Sequence, residues 1–165
     1  MNFAFIEYCM EKAKHNILKI SILILGIVTV AVLGSVFVNI GMDWFMSLNK
    51  PTQWIPNIVI PIVWTIIYIT FGIVMSVWIV KSGLPKNVVI WLIINGILNV
   101  LWCLLFFTLR LTFVGDIAII LNLIAGVTLF VNILKYNLTY AIITSIYPIW
   151  LSIATTLNLS SWILN

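Results

Sequence analysis

The sequence predicts an all-α integral membrane protein, a single bundle of five transmembrane helices formed by residues 1–165. Three observations predict it. Of the 165 residues, 64% are hydrophobic and only 7% are charged, against about half and about one quarter in soluble domains. The apolar stretches reach the ~20 residues that a hydrocarbon core requires at ~1.5 Å rise per residue. The basic residues sit singly between those stretches, so they punctuate spans rather than form a patch. A water-soluble fold is excluded, and the length leaves room for about five crossings in one domain.

The first element is a polar leader, Met1 to His15, followed by an apolar run from about 17 to 40. That run is too long for a signal-peptide core and lacks a small-residue cleavage pattern, so it is expected to stay as the first span. In the leader, Phe3, Phe5, Ile6 and Met10 alternate with Glu7, Glu11, Lys12 and Lys14, which suits a short helix on the membrane surface or, alternatively, a frayed terminus. The connection from Gly41 to Ile55 is the longest. Its Trp44, Phe45, Lys50, Pro51, Gln53 and Trp54, with the following Pro56, suit a cover over a pocket; an interfacial aromatic belt is the other reading.

A second span is expected over 56–80, closed by Lys81, Ser82, Gly83 and Pro85. From Val88 to Leu134 the chain is apolar for about twice a span length, broken only by Arg110, Thr112, Gly115 and Asp116; it divides there into spans at 88–109 and 113–134. Lys135 to Leu138 mark the last break, leaving a fifth span at 139–163. With alternating crossings, Lys12, Lys14, Lys19, Lys81, Lys86 and Lys135 share one side against Lys50 and Arg110. The positive-inside rule then places the N-terminus in the cytoplasm and the C-terminus outside. The net charge of +4 is thus a topology signal, and no nucleic-acid partner is expected.

Polar groups inside the spans must face protein, ligand or water, because burying an unpartnered amide costs a few kcal/mol, roughly. Asn95, Asn99, Trp102 and Phe106 fall on one helical stripe of the third span. Tyr147, Trp150, Ala154 and Asn158 do so in the fifth, and Trp64, Tyr68 and Phe71 in the second. If the three stripes converge, they build a flat-walled cavity suited to a planar, mostly apolar ligand. Taken singly, each asparagine is expected to hold helices together and each aromatic to fill the core; it is the convergence of the three stripes that points to a pocket. Ala31 with Ser35, and Ala141 with Ser145, have the four-residue spacing that lets helices approach, within the chain or between copies.

Conventional site chemistry is poorly supplied. The carboxylates Glu7, Glu11, Asp43 and Asp116 lie in the leader or at span ends, which disfavours paired acid and base catalysis. His15 is the sole histidine and has no ligand-like neighbours at metal spacing, so no metal and no cofactor are expected. No serine or cysteine has a base in prospect, and Cys9 and Cys103 imply no disulfide framework. Without a buried charge or an arginine row, an ion pump or channel is disfavoured.

Lys50-Pro51, Trp54, Pro56-Asn57, Pro61-Ile62-Val63-Trp64-Thr65, Tyr68 and Gly72 resemble the signature of the TspO/translocator protein family, the tryptophan-rich sensory proteins. The likeness continues through Leu98-Asn99, Leu101-Trp102, Phe106-Phe107 and Arg110, then Tyr147-Pro148, Trp150, Ala154, Leu157-Asn158 and Trp162. It covers roughly residues 40–165. The resemblance implies a five-helix fold, often dimeric, in a bacterial cytoplasmic membrane. It implies a pocket beneath the loop after the first helix that binds porphyrins and planar aromatic drugs, for sensing, transport or light-dependent breakdown. By position, Trp64 and Trp150 match the tryptophans implicated in porphyrin breakdown, while Phe45, Asn99, Trp102 and Ala154 match lining positions and Pro56 a loop-to-helix proline. Asn95, Tyr68, Phe106 and Tyr147 join the expected ligand-binding set from the stripes. Ile55 and Ile58 depart from the family pattern, as does the lack of a basic residue after Tyr147, so sterol transport is not expected.

Overall fold

The computed structural model of the chain describes residues 3–50 and 55–165. Five of its helical segments are long and apolar enough to cross a membrane: Ile6–Ser47, Val59–Lys81, Lys86–Thr108, Thr112–Tyr136 and Leu138–Leu164. In chain order the helices are α1 (Phe3–Ser47), α2 (Val59–Lys81), α3 (Lys86–Cys103), α4 (Thr112–Tyr136), α5 (Leu138–Thr144) and α6 (Ile146–Leu164), with a π-helical turn, Leu104–Thr108, continuing α3. This is the expected five-span membrane bundle. Pro51, Gln53 and Trp54, part of the expected cover, lie outside the described residues.

Local chemistry explains most of the boundaries. At the end of α2 the amides of Ser82 and Gly83 donate to the Trp78 carbonyl at 3.0 and 3.1 Å. Gly83 takes a left-handed φ of 77°, the usual device for turning a chain out of a helix. Pro85 then holds an extended conformation just before α3, where its missing N–H is harmless. Between α4 and α5, Asn137 accepts the Tyr140 amide at 2.9 Å and so caps the next helix.

Three expected boundaries are corrected. From Phe3 onward the leader is neither a separate surface helix nor a frayed end: α1 runs unbroken from there, because neither glycine nor proline occurs before Gly26 and the change at residue 16 is one of polarity, not of helix propensity. At its other end α1 continues to Ser47, so Trp44 and Phe45 stand on a helix instead of a loop. The fifth span is two helices meeting at Ser145. Pro148 has no N–H for the Thr144 carbonyl and its ring crowds that position. Ser145 turns back to the Ile142 carbonyl at 3.3 Å, and the Thr144 hydroxyl donates to the Tyr140 carbonyl at 2.8 Å.

The core has two parts. One joins α2, α4, α5 and α6 through Ile67, Phe71, Met75, Trp78, Leu129, Ile133, Ala141, Trp150 and Leu151. The other joins α1, α3, the π turn, α4 and α6 through Phe45, Trp102, Phe106, Phe107, Ile119 and Ala154. The outward faces carry isoleucines such as Ile69, Ile73, Ile90 and Ile124, all more than half exposed, as a hydrocarbon-facing surface requires.

Along α1, the buried described residues are Gly34, Gly41 and Phe45. A Cβ on Gly41 would overlap the Phe107 carbonyl, and one on Gly34 would meet Cys103 Sγ at 3.6 Å. The Thr108 hydroxyl donates to the Phe37 carbonyl at 2.9 Å. Just beyond the helix, the Asn49 amide donates to Asn165 Oδ1 at 2.9 Å, and Asn165 Nδ2 donates back to the Asn49 carbonyl at 3.1 Å. The close-packing small residues of α1 are therefore these two glycines; Ala31 is half-buried and Ser35 exposed, whereas Ala141 on α5 is buried.

Candidate functional site

Away from that seat, the earlier turns of α1 leave a partly open cavity of about 630 Å³ against α2 and α3. Leu23, Gly26, Ile27 and Val30 of α1 form one wall; Trp64, Ile67, Tyr68 and Phe71 of α2 a second; Leu92, Asn95, Gly96 and Asn99 of α3 a third; and Tyr147 of α6 closes the deep side. The apolar ring and aliphatic surface far outweighs the polar groups, which are two amides and two phenols, with Lys19 at the far end.

Trp64 is the hub of the aromatic wall. Its ring stacks on Tyr68 with centroids 5.8 Å apart, lies tilted against Trp102 at 6.1 Å and meets Tyr147 edge-on at 6.3 Å. Such offset pairs each contribute roughly 0.5–1.5 kcal/mol beyond burial. The Tyr147 hydroxyl donates to Asn95 Oδ1 at 3.0 Å, with Asn122 Oδ1 within reach at 3.3 Å. Asn95 Nδ2 in turn donates to the Trp91 carbonyl at 2.7 Å. One network thus fixes the Tyr147 ring in the cavity wall, and Gly126 allows it: a Cβ there would lie 2.8 Å from Leu151 and 3.3 Å from the Tyr147 ring.

Of the residues singled out in the sequence, Trp64, Tyr68, Asn95, Asn99 and Tyr147 stand together on the cavity wall. Trp102, Phe106, Phe45 and Ala154 stand together in the adjoining core instead. There Phe45 packs on Phe107 at 5.2 Å and on Phe106 at 6.4 Å. Trp150 belongs to the other core cluster. Pro56 is exposed before α2, its carbonyl accepting the Val59 amide at 2.9 Å. The separation has a simple origin. A stripe repeating every three or four residues follows a helix through its whole length, and the cavity occupies only the part that α1 leaves uncovered.

Sequence reasoning missed Asp116. Expected at a span end, it is 2% exposed and accepts a hydrogen bond from Asn158 Nδ2 at 2.6 Å. Asn158 Oδ1 accepts the Trp102 indole N–H at 3.3 Å, and Trp102 leans on Trp64. A carboxyl group therefore supports the aromatic wall from behind. Asp116 is buried because Gly115 lets α4 approach the π turn closely; a Cβ there would lie 2.8 Å from that of Phe106. A signal existed: Asp116, Ile119, Asn122, Gly126, Leu129 and Ile133 share one face at helical spacing. Among the described residues, Asp116 Oδ2, Asn122 Nδ2 and Trp150 Nε1 are buried without a partner, each costing about 1–3 kcal/mol unless water or a ligand satisfies it.

A five-span, tryptophan-rich membrane bundle with an aromatic cavity between its first three helices is the class that fold and site define. Residues 22–163 match the TspO/MBR family model, and the chain belongs to that family. It is similar to the tryptophan-rich protein TspO of Archaeoglobus fulgidus, 29% identical over 152 residues that make up 91% of this chain and 99% of that protein.

Proposed function

We propose that this protein, acting as one membrane domain of 165 residues, binds porphyrin-type tetrapyrroles and similar planar aromatic molecules, and serves in their sensing, transport or light-dependent breakdown. The cavity carries the reading: about 630 Å³ lies within the size of small-molecule sites, and its Trp64, Tyr68 and Tyr147 rings offer flat apolar contact beside the Asn95 and Asn99 amides. Phe45, Trp102, Phe106 and Ala154 act as the support of that wall, and Pro56 as the entry to α2. The N-terminal side faces the cytoplasm of a bacterial cell, and two copies associate in the membrane.

Light-dependent breakdown is the second reading, favoured by the tryptophan pair. Trp64 faces the ligand, and Trp150 keeps a buried, unpartnered indole N–H nearby in the same bundle. A transporter or regulatory partner without chemistry of its own is the alternative.

The test is titration of the detergent-purified protein with protoporphyrin IX in the dark, read by tryptophan quenching, followed by illumination in air. Trp64→Leu is expected to weaken binding about two- to tenfold, the loss of one stacking contact. Trp150→Phe is expected to leave binding intact and change any protein-dependent photoproduct. Absence of saturable quenching would remove the tetrapyrrole reading; saturable binding without a product would leave sensing or transport.

A further inference from the structure

The cavity is chemically lopsided along its length. Its amides and phenols cluster at the deep end, while the opposite end carries Lys19, the one charged side chain among its described wall residues. Lys19 and Ile79 also belong to a second, adjoining depression on the bundle surface, of about 470 Å³ and more polar than the cavity, shared with Tyr8, Glu11, Lys12, His15, Asn16 and Lys81. Three lysines against one glutamate leave that depression formally at +2. A long apolar slot that opens on a cationic vestibule is complementary to an amphipathic anion. From Lys19 to Val30 the α1 wall is about 16 Å long at 1.5 Å rise per residue, enough for a flat ring system to lie along it.

We propose that Lys19, with Lys81 and Lys12 around it, anchors carboxylate groups of the ligand, so that the ring system enters the slot with its acidic edge at the amino-terminal end of α1. The inference rests on the tetrapyrrole reading and deepens it, since it fixes the orientation of the ligand and selects acidic over neutral ring systems. Lysine is well suited to such an anchor, because its apolar stem runs along the wall while the ammonium stays at the membrane boundary. A carboxylate held there gains a charge-assisted hydrogen bond in a partly desolvated setting. Neutral planar molecules would enter the same slot without that gain.

The experiment compares protoporphyrin IX, which carries two propionates, with its dimethyl ester, which carries none, by quenching titration of the full-length protein in detergent. Wild type is expected to bind the diacid about tenfold more tightly than the ester, the scale of one charge-assisted hydrogen bond. Lys19→Met is expected to erase that preference by weakening the diacid alone, its unchanged ester affinity showing that the slot is intact. Lys19→Arg and Lys14→Met, the latter removing a lysine that lines neither depression, are expected to retain it. Equal binding of diacid and ester by wild type would overturn the anchor while leaving the pocket standing, as would equal weakening of both by Lys19→Met or loss of the preference in Lys14→Met. Failure of both compounds to bind would overturn the anchor and the tetrapyrrole reading together.

Discussion

At Gly41, α1 lies with its backbone directly against that of the π turn, whereas from Lys19 to Val30 it meets α2 and α3 only through side chains and leaves a cavity. In the first region Gly41 touches the Phe107 carbonyl and Phe37 accepts the Thr108 hydroxyl. In the second, Gly26 has no foreign atom within 4 Å of where its Cβ would be. The same helix, and even the same residue type, thus serves opposite ends. A glycine facing a backbone closes a seam, and a glycine facing empty space widens a slot. What separates them is the partner: the π turn bulges its carbonyls toward α1 at one level, and at the other the side chains of α2 and α3 leave room.

The contrast can be broken most forcefully at the seat. Gly41→Ala should lower thermal stability in detergent by about 1–3 kcal/mol, the usual cost of overpacking a close contact, and a neutral result would mean that α1 is not seated there. Gly26→Leu should do the reverse. It fills the slot and is expected to reduce protoporphyrin affinity at least about tenfold, or ~1.4 kcal/mol. The melting temperature should hold or rise, since a glycine leaves a helix interior; a loss of stability like that of Gly41→Ala would erase the distinction between the two regions. The smallest expected effect is that of Thr108→Val, which removes one interhelical hydrogen bond, worth about 0.6 kcal/mol in a membrane, and should be read by the same melting assay.

How much of the molecule is legible in its sequence follows the same division. The five spans can be read because hydrocarbon thickness imposes a length on each apolar run, and the stripes because a helix repeats its faces. Spacing alone puts Trp64 with Tyr68, Asn95 with Asn99, and Tyr147 with Trp150 on stripes of their own helices; that five of these side chains meet on one cavity wall is seen only in the fold. The π turn cannot be read: Leu104–Thr108 contains neither glycine nor proline, and its i→i−5 bond from Leu109 to the Leu104 carbonyl answers to tertiary contacts with Phe37 and Gly41. Arg110, which follows it in a left-handed conformation with φ 58°, is a residue that ordinarily avoids that region. Asp116 escapes sequence reasoning because a charge beside a glycine looks like a turn, and only packing against Phe106 and Asn158 reveals it as interior. The extent of α1 is hidden for a related reason, since polarity ends a span without ending a helix.

The length of α1 has a mechanical side. With its fixed point at Gly41, the helix is a lever with unequal arms on one side of the pivot. Gly26 lies 15 residues from Gly41 and Tyr8 lies 33, or about 22 and about 50 Å along a continuous helix at 1.5 Å per residue. A rigid tilt about Gly41 that displaced the helix at Gly26 would therefore displace Tyr8 roughly twice as far.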